Sequence, residues 1–284
     1  MAEAPQNLMR ISNPSDRLLF QEKIFSWWRS HKRDLPWRHT HDPYKILVSE
    51  VMLQQTQVLR VITKYREFIE RYPTVGDLAA ASPAAVIRIW KGLGYNRRAL
   101  FLHKAAKIIV EKYGSQLPIS EQQLSKLPGL GIYTARAILV FAYKQDVPLI
   151  DTNIRRIITH FFFNDQPQKP SVIEDAALRL LPKGKSWEWH QALMDYGSEE
   201  SSKFKVQSSK LKKKATPFRQ SHRFYRGRII DLLRQQEMQE TSFLRRLMKE
   251  YQKPKEFFQK LIEDLVAEGF IVRSKTGIVS LPDN

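Results

Sequence analysis

The chain has 284 residues, 42% of them hydrophobic and 11% aromatic, which excludes disorder of the whole and suits two domains or one domain with an appendage. Its net charge of +18 and pI near 10.0 point to a polyanionic partner, nucleic acid first and an anionic membrane surface second. There is no cysteine, so disulfides, iron–sulfur clusters, zinc–thiolate sites and thiol nucleophiles are excluded.

The N-terminal stretch MAEAPQNLMRISNPSD has no apolar core for secretion, and no apolar run approaches membrane-spanning length. A soluble intracellular protein, cytoplasmic or at the nucleoid and without a membrane partner, is expected. Pro14 and Ser15 open an amphipathic helix whose apolar face is read from Leu18, Leu19, Ile24, Phe25 and Trp28. His39 and His41 follow, but no carboxylate–histidine set at ligand spacing surrounds them, so no metal site is expected. DPYKILVSEVMLQQTQ reads as a helix with Asp42 at the N-cap and Pro43 at its first position. Helical spacing then marks 58–71, 84–90, 97–112, 120–127 and 133–142, with three more helices beginning near Ile154, Ser171 and Trp187.

Strand-like alternation is nearly absent up to Lys214. SSKFKVQSSKLKKK, from Ser201 to Lys214, carries six lysines and no acidic residue. Beyond it, RFYRGRIIDLLRQQ, TSFLRRLMKEY and KPKEFFQKLIEDLVAEG read as three helices, and FIVRSKTGIVSLP as a hairpin turning at 275–277. Three helices and a hairpin are the plan of a winged helix. The expected architecture is mostly α: a helical domain over 1–200, a basic linker over 201–218, and a small winged-helix-like α+β module over 219–284.

LSKLPGLGIYTARAILVFA, residues 124–142, carries the first chemical signal. A helix ends at Pro128, GLG turns tightly, and Tyr133 starts the next helix. Gly129 and Gly131 permit positive φ and bring backbone N–H groups close to a ligand, and with the helix N-terminus these suit a phosphate. An ordinary αα-corner has the same outline. With a charge of +18, a helix-hairpin-helix over about 120–142, gripping DNA without reading sequence, is the stronger reading.

In VPLIDTNIRR, Asp151 opens a helix and serves as its N-cap, as a carboxylate that stabilises positive charge on a sugar, or as both. Glu50 stands four residues after Ile46 and three before Leu53, on an apolar face. Burial there raises a carboxyl pKa, as a general acid at neutral pH requires, unless the apolar neighbours point elsewhere and leave it on the surface. One carboxyl to protonate a leaving group and one carboxylate to face an oxocarbenium-like centre is what glycosidic cleavage asks for.

LPWR (35–38), DPYKILVSEVMLQQTQV, GLGYNRRA, LPGLGIYTARA and IDTNIRR resemble, in order and spacing, the adenine DNA glycosylases of the MutY type. These belong to the helix-hairpin-helix–Gly/Pro-Asp superfamily shared with endonuclease III. The resemblance runs from about Arg33 to Gly197 and implies a two-lobed helical glycosylase fold with a helix-hairpin-helix. By position, Glu50 resembles the acid that protonates adenine N7, and Asp151 the carboxylate facing the sugar, with Asn153 positioning it. Tyr133 falls where lyases of the superfamily carry a Schiff-base lysine, which implies a glycosylase without efficient strand cleavage. Trp37, Arg38 and Asp195 match positions around the extruded adenine, and Gln55 and Tyr95 match residues that fill the space it leaves. QQTQ and GLGY favour adenine over the relative that excises thymine from T·G; Tyr133 does not discriminate.

Two departures accompany the resemblance. Family members carry four cysteines for a [4Fe–4S] cluster directly after ALMDYG, where this chain has the lysine-rich run and no cofactor is expected. Lys210, Lys212, Lys213 and Lys214 are read as a replacement that supplies phosphate contacts, with a bare linker as the alternative. The 65 residues after Arg219 are too few for the Nudix-like domain that recognises 8-oxoguanine in many relatives. The expected function is a monomeric, monofunctional glycosylase that excises adenine opposite 8-oxoguanine or guanine from double-stranded DNA. Its alternatives are a T·G or U·G mismatch glycosylase and a non-catalytic DNA-binding protein on the same scaffold.

Overall fold

The structure, a computed structural model, describes residues 11, 13–200, 202, 204 and 217–283. Lys210, Lys212, Lys213 and Lys214 lie outside the described residues. The described chain is mostly helical and falls into two compact units. One takes described residues of Met1–Glu50, Pro118–Lys126 and Leu130–Lys212; the other takes those of Val51–Leu117, Leu127–Gly129 and Lys213–Asn284. No helix among the described residues is long and apolar enough to cross a membrane.

The first unit begins with α1 (Pro14–His31), which Asn13 caps by accepting from the Ser15 N–H, with Pro14 at its start. Its buried stripe is Phe20, Ile24 and Trp28, one residue per turn. Leu18 and Leu19, expected on that face, are 65% and 64% exposed. The face is selected by aromatic partners: Phe20 meets Phe162 at 5.0 Å and Trp189 at 5.8 Å, both edge-on. Those rings come from α9 (Thr152–Phe163) and α11 (Ser186–Glu200), which with α10 (Pro170–Leu180) complete the core of this unit.

Two further helices carry the hairpin. α7 (Glu121–Leu124) is shorter than the expected 120–127, because Pro128 disfavours helical backbone at Leu127. α8 (Ile132–Phe141) follows a turn in which Gly129 has φ +77°. A Cβ on Gly129 would lie 2.8 Å from Cβ of Phe101, so both the left-handed backbone and the close approach require glycine. Gly131 differs from its expected role. It is extended (φ −89°, ψ 177°), as an N-cap residue normally is, and open space surrounds its missing Cβ.

In the second unit, α3 (Val58–Arg71) buries Val61, Tyr65 and Phe68. The short α4 (Val75–Ala80), absent from the sequence reading, starts with a reciprocal Thr74–Asp77 capping box. α5 (Pro83–Ile89) and α6 (Arg97–Tyr113) follow, and α6 stops at Gly114 in the left-handed region.

The C-terminal residues form α12 (His222–Leu233), α13 (Glu240–Tyr251) and α14 (Lys255–Ala267), with β1 (Met238–Gln239), β2 (Val272–Arg273) and β3 (Ile278–Ser280). The strands form an antiparallel sheet of order β1-β3-β2, pairing Met238 with Val279 and Val272 with Ser280. The expected hairpin is β2–β3, turning at Gly277 (φ +79°); β1 is an addition. This module shares its core with α5 and α6: Ala84, Ile87 and Leu100 are buried together with Ile229, Leu233, Phe243, Phe258 and Val279. The Ala84 N–H also donates to the Pro282 carbonyl at 2.7 Å.

Candidate active site

Helix α2 (Pro43–Leu53) is capped as expected, Asp42 accepting from the Tyr44 N–H at 2.9 Å. Residues 46–52 are all buried, so this helix has no wet face along two turns and Glu50 has nowhere exposed to point. Glu50 is 7% exposed. Burial first, and then the charge of Asp151, push its carboxyl up to about 8. A carboxyl in that state holds its proton at neutral pH.

Asp151 caps α9, accepting from the Ile154 N–H at 2.7 Å. Asn153 Nδ2 donates to its other oxygen at 3.3 Å. Burial pushes Asp151 above the usual carboxylate range too, but these donors and the nearby Arg33 oppose it. Two carboxyls thus share one site with unequal support: donors and Arg33 favour the charge on Asp151, whereas burial and Asp151 both favour the protonated form of Glu50. Tyr133, in the first turn of α8, lies within electrostatic reach of both, and burial and the two carboxyls hold its phenol well above 10. It is a neutral donor. Glu50, Asp151, Asn153 and Tyr133 are therefore brought together.

Arg38 and Asp195 form a different construction. Asp195, 2% exposed, accepts from Arg38 Nη1 and Nη2, both at 2.7 Å, from Trp28 Nε1 at 2.9 Å, from the Arg33 N–H at 3.2 Å and from Arg33 Nε. Burial would raise Asp195, but Arg38 and then Arg33 outweigh it and hold the carboxyl low. This saturated ion-pair node ties α1, the 3-10 turn Pro36–Arg38 and α11 together. Trp37 is buried beside it in sequence. Arg33, which reaches Asp195 and also acts on Asp151, was not singled out in the sequence; a charge next to LPWR gives no sign of its partner.

Two further residues fix the start of α9. Gly197 on α11 approaches so closely that a Cβ would stand 2.6 Å from Cβ of Asn153 and 3.1 Å from Cδ1 of Ile157. Gly197→Ala should overpack this contact and destabilise the protein by about 1–3 kcal/mol, measured as a lowered midpoint in urea melts. His190 accepts the Leu149 N–H at Nε2 (3.0 Å) while its Nδ1 donates to the Ser186 carbonyl (2.7 Å), holding the irregular segment that leads into Asp151. Burial depresses its pKa from 6.5 to about 4. The folded state thus resists a proton that the unfolded chain accepts. The contribution of His190 to stability, full above pH 6.5, should fall by roughly 3 kcal/mol as pH drops toward 4. Urea melts of wild type and His190→Gln at pH 6.5, 5 and 4 check this: wild type should lose stability relative to the variant as pH falls.

Gln55 and Tyr95 both adopt left-handed backbone, φ 55° and 45°, rare for residues of their size. Their loops hang on one side chain, Arg98. Its guanidinium donates to the carbonyls of Val51 (2.7 Å), Met52 (2.9 Å), Leu93 (3.1 Å) and Gly94 (3.2 Å) and to Thr56 Oγ1 (2.9 Å). Arg98, the second arginine of GLGYNRRA, satisfies carbonyls at the end of α2 that would otherwise lack donors.

Among the described residues no group of three or more histidines and acids is placed to hold a metal. The cluster's thiolates are missing from the chain altogether, so the residues do not fit that cofactor. Within the basic run, Phe204 stacks on His160 at 4.4 Å and lies 6.4 Å from the Tyr196 ring.

Residues 48–183 match the model of the HhH-GPD superfamily base excision DNA repair protein. The adenine DNA glycosylase of Mycolicibacterium smegmatis is 42% identical over 179 residues, which is 62% of this chain and 61% of that protein. The chain therefore spans about three fifths of the length of that relative. A thymine/uracil-DNA glycosylase of Methanothermobacter thermautotrophicus is 30% identical across 64% of this chain and 84% of its own length. The solved structure of a thermostable thymine-DNA glycosylase superposes with a TM-score of 0.59 at 29% identity, covering 64% of this chain and 86% of that one.

Proposed function

The chain belongs to the HhH-GPD superfamily of base excision DNA repair proteins, and from that premise we propose that it is a monofunctional DNA glycosylase excising mispaired adenine from duplex DNA. The observation that carries the reading is a buried Glu50, its carboxyl pushed up to about 8, within electrostatic reach of the helix-capping, hydrogen-bonded Asp151. Extruding the target nucleotide costs a few kcal/mol, which Gln55 and Tyr95 offset by occupying the space it leaves. Glu50 gives its proton to N7 of adenine, and the bond from C1′ to the base breaks with its electrons leaving on the purine. Asp151 stabilises the sugar cation, and water adds at C1′, yielding an abasic site and returning a proton to the carboxyl pair. Tyr133 stands where a lyase needs an amine, and a phenol cannot form the imine that precedes strand cleavage. Arg38 and Asp195, saturated by each other and their neighbours, support the pocket wall rather than touch the base.

The adenine DNA glycosylase of M. smegmatis is the more similar relative in sequence and supports adenine as the substrate. A second reading, thymine or uracil excised from mismatches with guanine, is supported by the M. thermautotrophicus relative, whose length this chain covers far more fully. Single-turnover reactions on A·8-oxoguanine, A·G, T·G and U·G duplexes, with alkali to cut abasic sites, test both. Product from the two adenine duplexes without strand cleavage before alkali is expected. Product from T·G or U·G alone would replace adenine with the second reading.

A further inference from the structure

A cleft of about 1020 Å³ in the second unit is lined by Gln55 and Tyr95 but by none of Glu50, Asp151, Asn153 and Tyr133. The loops around Gln55 and Tyr95 line one side and α12 with Phe218 the other, so seven arginines face two carboxylates, Asp231 and Glu268. Most of these arginines are already engaged. Arg226 and Arg97 share Glu268 at 2.7 and 3.5 Å, Arg228 and Arg234 share Asp231, and Arg98 is spent on backbone carbonyls.

Arg223 is arranged differently. Its guanidinium carbon lies 4.1 Å from the centroid of the Tyr95 ring and 5.0 Å from that of Phe218. Its one hydrogen bond goes to the Tyr95 hydroxyl, and it has no carboxylate partner among the described residues. A guanidinium has five N–H donors, so most of its edge stays open. Phe218 is 56% exposed, leaving the stack accessible. One turn further along α12, Gly227 lines the cleft with open space where a Cβ would be, although glycine inside a helix is unfavourable. Aromatic faces, net positive charge and free donors in one plane are what receive an unstacked nucleobase.

We infer that this cleft holds the nucleotide opposite the extruded one, and that Arg223 selects a 6-oxopurine there by donating to its O6. Arginine pairs with guanine O6 and N7, and 8-oxoguanine keeps the O6 acceptor; adenine presents an amino donor at the same place. The C-terminal module thereby supplies the reading of the opposite base. The inference rests on the base-flipping reading above.

The test is equilibrium binding, by fluorescence anisotropy, to duplexes with a tetrahydrofuran abasic analogue opposite guanine or opposite 2-aminopurine, which lacks the O6 oxygen and, with it, the N1–H. Wild-type protein should bind the guanine duplex about tenfold more tightly, and Arg223→Ala should erase that ratio. Arg223 is exposed, so the variant should keep its fold, with Phe218→Ala as a second probe of the same stack. Equal binding of the two duplexes by wild type, or an equal loss on both with a reduced salt slope in Arg223→Ala, would make this a phosphate contact and overturn the inference. Because binding needs no chemistry, a guanine preference without adenine release would remove only the proposed function. Adenine release without the preference would remove only this inference.

Discussion

Glu50→Gln should lower single-turnover base release by about 10²–10⁴-fold while leaving affinity for the mismatch duplex near wild type. Glutamine keeps the shape and hydrogen-bonding capacity of the protonated acid but has no proton to give. With Glu50 at about 8, the wild-type rate should be flat through neutrality and fall above pH 8 as the proton is lost. The same shift makes a stability statement of definite sign. The unfolded chain releases this proton near 4.5 and the folded protein only near 8, so the contribution of Glu50 to stability is most favourable below 4.5 and declines as pH rises between the two values. At pH 7 the cost is on the order of 3 kcal/mol. Glu50→Gln, which has no charge to bury, should therefore melt higher than wild type at pH 7, with the gap closing below pH 4.5. A variant that is both inactive and less stable at pH 7 would show that Glu50 is a structural acid.

The second large effect is expected from Asp151→Asn: a loss of about 10²–10³-fold in release, with a melting temperature equal to or above that of wild type. Asparagine caps a helix about as well as aspartate, so the bond to the Ile154 N–H survives, and a partly buried charge is removed. Asp151→Ala is the companion, losing the cap as well at about 1 kcal/mol. If Asp151→Asn were as active as wild type, the aspartate would be only a cap. If it melted lower, the carboxylate would contribute structurally beyond capping. Thermal melts beside single-turnover rates separate these outcomes.

Much of this site was legible because its signals are local. A carboxylate before a helix reads as a cap from one dipeptide, and Glu50 reads as buried because it stands on an apolar face with Ile46 and Leu53. Gly129 reads as a turn because left-handed backbone is a property of one residue. Where the same logic was extended it failed at once: Gly131 resembles Gly129 in sequence, yet the helix it caps needs extended backbone. Periodicity also placed α1 correctly while misreading its face, since Leu18 and Leu19 fit an apolar stripe as well as Phe20 and Ile24 do.

The sequence by itself determined the helical class, the order of the motifs and the absence of thiolate ligands, and it singled out Glu50 and Asp151 as the candidate carboxyls. Each of these depends on residue type or on neighbours within one turn. Tertiary structure alone decided the rest. It closed Arg38, Arg33 and Trp28 around Asp195, hung the loops of Gln55 and Tyr95 on Arg98, and pressed Gly197 against Asn153. It also gave the C-terminal helices a core in common with α5 and α6, and set Arg223 between two rings. These are contacts between residues tens to more than a hundred positions apart, and a charge or a glycine shows nothing in its own segment of the partner that burial will assign to it.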